Sequence, residues 1–215
     1  MNVHIDLRSV DILRAIGGLE KYLSVMEAQL EEVHRIERHT LALQHPSDAD
    51  KGKHDAHLQE LDYLDDLYER DLQPAMRYSF VVLVHIVFDT QIRYFCSRIQ
   101  RDLKLPEIAV TDLRGSAIDQ ARLFLTRLAS IRAKDFPEWQ QLRTLQKIRD
   151  CIVHSYGDVG RSRDEKFLRD LAMQGSGVSI DDEGRIAVTK HFCEEQLATL
   201  RTLFKRLFLC AGWSL

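Results

Sequence analysis

The sequence is poor in helix-breaking residues. Ten glycines and four prolines in 215 residues are too few for a turn-dense all-β fold, and they argue against a disordered chain. Cysteine is scarce as well. Cys96, Cys151, Cys193 and Cys210 form no Cys-x-x-Cys and no paired spacing, which suits a reducing compartment better than a disulfide or zinc framework. Long apolar runs are missing: the longest, Phe80 to Phe88, has nine residues and contains His85. A membrane-spanning helix needs about 20 apolar residues, so no span and no membrane partner are expected. The start, Met1-Asn2-Val3-His4-Ile5-Asp6, has neither the basic region nor the apolar stretch of a secretory signal, and a cytoplasmic location is the expectation.

What is present has the balance of an ordinary globular protein. Hydrophobic residues make up 45% and charged residues 29%, and the length suffices for one domain with a sizeable core. The net charge of −3 hides an asymmetry. Residues 1–72 carry 8 Lys/Arg against 16 Asp/Glu, whereas residues 73–215 carry 22 against 17. A polyanion is repelled by the first part and tolerated by the second.

Helical periodicity dominates. Ile12, Leu13, Ile16, Leu19, Leu23, Met26, Leu30, Val33 and Ile36 recur at three- and four-residue steps, predicting one long amphipathic helix over 10–43, loosened at Gly17-Gly18. The stretch from His45 to Gly52 reads as a loop. A second helix is expected over 55–72, with Leu58, Leu61, Leu64, Leu67 and Tyr68 on one side and an acidic, solvated face of Glu60, Asp62, Asp65, Asp66 and Glu69 on the other. Pro74 opens a third helix to about Leu103. Its run from Phe80 to Phe88 also suits a strand, but Ile92, Tyr94, Phe95 and Ile99 continue the apolar pattern and favour a buried helix. Thr111 or Asp112 is expected to cap a helix reaching Ile131, and Pro137 to start another reaching His154. A short helix over 163–173, a β-hairpin over 178–188 around Asp181-Asp182-Glu183-Gly184, and a final helix over 190–209 complete the reading. The expectation is one all-α domain over 1–215 with an acidic N-terminal helical pair (10–72), a core over 75–210 and one small hairpin insertion.

The informative stretch is Leu145-Gln146-Lys147-Ile148-Arg149-Asp150-Cys151-Ile152-Val153-His154-Ser155-Tyr156-Gly157. On a wheel of about 100° per residue with Arg149 at zero, Leu142, Leu145, Ile148, Ile152 and Val153 spread from about 260° to about 40°. Arg149 falls inside that apolar arc, where a guanidinium needs a carboxylate, a phosphate or a second subunit. Asp150 and His154 are four residues apart on one edge of the arc, so the carboxylate is placed to orient the imidazole. Tyr156 lies about 20° from Arg149 if the helix continues so far, and Gly157 is a natural stop. The plain structural alternative is a salt-bridged core arginine, a surface histidine and a packing tyrosine.

Arg149-Asp150, three residues, then His154-Ser155-Tyr156 resembles the Arg-x4-His motif of the HEPN superfamily, extended in its toxin branch to Arg-x4-His-x-Tyr. The setting is similar too: a long buried helix over 78–99 precedes the motif helix over 139–156, and the resemblance covers roughly 75–210. It implies an HEPN-like helical bundle that acts as a homodimer through the motif-helix face, and a metal-independent endoribonuclease leaving 2′,3′-cyclic phosphate and 5′-hydroxyl ends, in a toxin, defence or RNA-processing setting. By that resemblance His154 deprotonates the ribose 2′-hydroxyl or protonates the leaving 5′-oxygen. Arg149 holds the scissile phosphate, Asp150 orients Arg149 or His154, and Tyr156 matches a tyrosine that a partner nucleotidyltransferase modifies. RNA is the implied partner, with an antitoxin or nucleotidyltransferase as a further one, and no cofactor is implied.

Other candidates carry less. Arg143 and Lys147 on the motif helix are placed to steer RNA, with a solvated face as the ordinary alternative. His54 and His57, and His34 and His39, lack a third ligand at recognisable spacing, so no metal site is expected. His85, Asp89 and Arg93 read as a satisfied polar seam on the buried helix, or as support for Arg149. Two readings from other classes remain: a non-catalytic HEPN module binding RNA, a nucleotide or a protein, and a helical adaptor docking a basic partner on the acidic pair.

Overall fold

The computed structural model describes residues 7–44 and 51–213, and the loop expected from His45 lies mostly outside them. Helix α1 (Leu7–Leu43) runs unbroken through Gly17-Gly18. Added Cβ atoms there would meet nothing within 4 Å, so these glycines serve neither a bend nor a close contact. Its residues Ile12, Ile16, Leu19 and Leu23 are buried, whereas Val33 and Ile36 beyond them are exposed. Only the first half of the stripe reaches the core.

Helices α2 (Lys51–Asp66) and α3 (Gln73–Asp102) are joined by a π-type turn over Leu67–Leu72 rather than separated at Pro74. The amide of Gln73 donates to the carbonyl of Tyr68, five residues back. That wider turn removes the need for the N–H that Pro74 lacks, so the proline is carried inside a continuous helix. Further on, Thr111 and Asp112 belong to a short 3₁₀ turn, Val110–Asp112. Ser116 caps α4 (Ala117–Leu123) instead, its hydroxyl accepting from the Asp119 amide at 3.3 Å. Thr111 and Asp112 are therefore not the caps, and a π turn over Phe124–Leu128 ends the segment short of Ile131.

Helix α5 (Glu138–Ser155) follows Pro137, and α6 (Glu165–Met173) leads into the strands β1 (Val178–Ile180) and β2 (Ile186–Val188). The strands are antiparallel, with Val178 opposite Val188. Helix α7 (Lys190–Ala211) is the last described element. Thr189 caps it by accepting from the Phe192 amide at 3.1 Å, and left-handed Gly212 ends it. The chain is thus mostly helical with one hairpin.

Helix α3 is the axis of the fold, touching α1, α5 and α7. Phe80, Phe88, Phe95, Phe204, Phe208 and Leu142 are fully buried in one core cluster, and burial of such rings is the main stabilising force. The continuous helix Gly52–Asp102 has a stretch long and apolar enough to cross a membrane by length and composition. Single polar residues interrupt its apolar run without lowering the average much, so no unbroken apolar run marks it in the sequence. A core helix packed on several sides has the same composition.

Candidate functional site

The motif helix ends where three elements meet. Tyr156 adopts a left-handed backbone (φ 53°, ψ 36°), and its amide donates to the Cys151 carbonyl, closing α5. Gly157 follows at φ 83°, and a Cβ there would collide with the phenol of Tyr78 on α3. The Tyr78 hydroxyl donates to the Ile186 carbonyl, and burial raises its pKa to about 12. The Gly157 carbonyl accepts from the Ile186 amide at 2.8 Å, and Val159 N–H donates to Gly184 at 3.0 Å. The hairpin is therefore the clamp that fixes the end of the motif helix, rather than a peripheral addition.

On α5, Leu142, Leu145, Ile148, Cys151 and Ile152 are buried, but Val153 is 50% exposed. The buried arc is thus rotated away from Arg149, which sits on its edge rather than in its middle. The Arg149 side chain is 29% exposed and donates from Nη1 to Asp150 Oδ1 at 2.7 Å. Its Nε is buried and unpartnered. Asp150 is nearly enclosed, and its Oδ2 accepts from Arg163 Nη2 at 3.1 Å. One carboxylate thus holds two guanidinia, and this is the centre of the site.

His154 is exposed on the last turn of α5. Asp150 does not hold it: both carboxylate oxygens are bonded to arginines. Of the two alternatives for Asp150, the contacts are those of a group that orients Arg149. Tyr156 is 75% exposed, with the Arg185 guanidinium 5.8 Å from its ring centre. Beside it lies an open groove of about 650 Å³ between α3 and α5, lined by Tyr22, Tyr78, Val82, Ile86, Ile152 and Tyr156.

Arg143 and Lys147 are not gathered with Arg149. Arg143 pairs with Asp119 at the start of α4. Lys147 pairs with Asp164 and lies over the Phe167 ring at 4.3 Å. Both cations are thus neutralised by acids on neighbouring elements. Cations at the site that sequence reasoning missed are Arg163, which is 79% exposed, and Arg185. Neither shares a helical period with Arg149; each is delivered by the chain that turns back after Gly157.

The expected seam on α3 is only partly formed. Arg93 Nε donates to Asp89 Oδ1 at 2.9 Å, and His85 takes no part in that pair. His85 instead stands within the field of the motif helix: burial lowers its pKa, and the charge of Arg149 lowers it further against the opposing pull of Asp89 and Asp150. Cys151, buried beneath the site, has its thiol pKa raised by burial and is unsuited to nucleophilic work.

Of the possible metal ligands, His34 has another role. His34 bonds Asp65 at 2.8 Å and stacks on Tyr68. Among the described residues no three His, Cys, Asp or Glu side chains are grouped to hold a metal ion. The expected solvated acidic face on α2 is also partly consumed, since Asp65 pairs with His34 and Arg38 on α1. Chemically, the site offers a guanidinium with free donors, flanked by an exposed imidazole, a half-buried imidazole and an exposed phenol. That set can bind a phosphodiester and move protons around it. Compared with known proteins, the chain matches no family model, no curated protein and no solved structure.

Proposed function

We propose that this chain is a metal-independent endoribonuclease of HEPN type, a toxin or defence effector that works as a homodimer. The observation that carries the reading is Arg149. It is a half-buried guanidinium fixed by Asp150, with donors left over and His154 and Tyr156 exposed within two helical turns. A purely structural arginine would have its donors satisfied inside the core; this one is held in place and left available. The scissile phosphate docks on Arg149; Arg163 and Arg185 lie nearby but are paired with Asp150 and Glu183, so they reach the flanking backbone only by exchanging those partners. His154 serves the 2′-hydroxyl or the 5′-oxygen, and charge developing on the phosphorane is stabilised by the pre-positioned fork.

The homodimer reading is supported by the exposed apolar residues along the α3–α5 face. Ile86 and Val153 are each about half exposed, and Ile86 lines the groove that ends at Tyr156. A second reading, a non-catalytic module binding RNA, a nucleotide or a protein, is favoured by His154 being unanchored, since a catalytic imidazole is commonly oriented by a third group.

The test is cleavage of a mixed RNA pool in excess EDTA by the wild-type protein beside Arg149→Ala and His154→Ala. Cyclic-phosphate ends that appear with wild type and vanish in both variants are the expected result. A folded wild-type protein that binds RNA but leaves it intact would support the binding module.

A further inference from the structure

A ribonuclease with His154 as its single imidazole would ask that one ring to perform two tasks. Cleavage by 2′-hydroxyl attack needs a base to take the 2′-proton and an acid to protonate the departing 5′-oxygen. A second group is present in the same protomer, on the long buried helix.

The register of α3 against α5 decides where it lies. Tyr78 of α3 approaches Gly157, and Val82 and Ile86 share a groove with Ile152 and Tyr156. Residue numbers rise along α3 as they fall along α5, so the helices run antiparallel. One turn beyond Val82, this register sets His85 beside Arg149 and Asp150, whose charges act on its ring. His85 is half-buried and makes no hydrogen bond or ion pair among the described residues, because Asp89 is bonded to Arg93. Arg149 in turn has an unpartnered, buried Nε. An imidazole with free ring nitrogens, packed edge-on against Phe88, and an incompletely engaged guanidinium thus share one seam.

His154 lies on the other flank. Relative to Arg149 it is rotated by about 140° on the α5 wheel, while Ile152, the contact to α3, is at about 300°. On that wheel Arg149 lies about 60° from the α3 side and about 140° from His154, so it is flanked by His85 on the near side and by His154, further round and about one turn on, on the far side. An in-line displacement puts the attacking and leaving oxygens on opposite sides of the phosphorus, with the cation on a non-bridging oxygen, so it is served by a base and an acid on different sides of Arg149.

We propose that His85 is the general base of the reaction, taking the 2′-proton while His154 acts as the acid. This inference rests on the ribonuclease reading. His85 accepts the proton from the 2′-hydroxyl as the O2′–P bond forms. The P–O5′ bond breaks with its electron pair on O5′, and His154 donates the proton that completes the 5′-hydroxyl. Exchange with solvent then resets both rings. The surroundings favour this division. Burial and Arg149 hold His85 in its neutral, basic form, with Asp89 and Asp150 the opposing charges that face it.

The experiment uses the full chain and an RNA oligonucleotide that the wild type cuts, made with either oxygen or sulfur at the bridging 5′-position. A thiolate leaves without an acid. His85→Gln is expected to lower kcat about 100-fold or more on both substrates, whereas the sulfur substrate restores cleavage by His154→Ala. The pH profile of kcat/KM should lose its acidic limb in His85→Gln, an effect that a packing defect would not produce. His85→Ala, tested with added imidazole, should regain part of the rate. If the sulfur substrate rescues His85→Gln, His85 is the acid and the proposal is overturned. A normal rate, or an unchanged acidic limb, in His85→Gln overturns it while the ribonuclease reading stands on Arg149→Ala. A wild type that cuts no RNA overturns both.

Discussion

Removing the Asp150 carboxylate should cost far more than removing the exposed arginine bound to it. Asp150 is 13% exposed and accepts from both Arg149 and Arg163. In Asp150→Ala the Arg149 guanidinium is left on the edge of the core with no partner. Breaking a fully buried pair costs about 3–5 kcal/mol. The Arg149 side chain is 29% exposed, so water recovers part of this, and about 2 kcal/mol is expected. For a chain of 215 residues each kcal/mol lowers Tm by about 2–4 °C, giving a fall of about 4–8 °C. Arg163→Ala removes a partner that is 79% exposed, and a pair of that kind contributes less than about 1 kcal/mol. Thermal denaturation followed by circular dichroism reads both. The double variant Arg149→Met/Asp150→Ala, which leaves no stranded charge, should be more stable than Asp150→Ala alone. Equal losses for Asp150→Ala and Arg163→Ala, or simple additivity in the double variant, would refute the reasoning. In RNA cleavage assays Asp150→Asn should retain more activity than Asp150→Ala, because its amide oxygen can still accept from Arg149.

Three further outcomes follow from the same geometry. Gly157→Ala combines a strained positive φ with a Cβ driven against the Tyr78 phenol, and should lower stability by about 2 kcal/mol in urea titration; a change within about 0.5 kcal/mol would show that the clamp is slack. Ile86→Glu, on the exposed apolar face, should turn a dimer into a helical monomer by light scattering, and a retained dimer would move the interface elsewhere. The His85 pKa is lower in the folded protein than in the unfolded chain, so the unfolded state binds the extra proton. Its contribution is complete above about pH 6.5 and is lost as pH falls through the folded value. His85→Gln should therefore flatten the acid side of a stability-versus-pH curve, and an unchanged slope would show that His85 is not held neutral.

Much of the architecture was legible in the sequence, because helix formation is local. The three- and four-residue spacing in 10–43, the Pro137 start of α5, the hairpin around Asp181-Asp182-Glu183-Gly184 and the final helix from Lys190 are each written in residues a few positions apart. The errors share a cause as well. Pro74 signals a break, but here the Gln73 amide reaches back five residues to Tyr68 and the chain widens into a π turn instead. Thr111 is taken up in a 3₁₀ turn whose Val110 is buried in the core, and Ser116 caps the helix instead; burial of that kind is not visible in a local pattern. The site divides along the same line. Arg149, Asp150, His154 and Tyr156 lie on one helix end and can be read from the sequence. Their partners come from elsewhere: Arg163 across a turn, Arg185 from the hairpin, His85 from the antiparallel face of α3. Sequence determines which side chains a helix presents, since 3.6 residues per turn fixes their relative angles. Only tertiary packing decides which of them lose their water, and so which charge Asp150 neutralises and which imidazole stands beside Arg149.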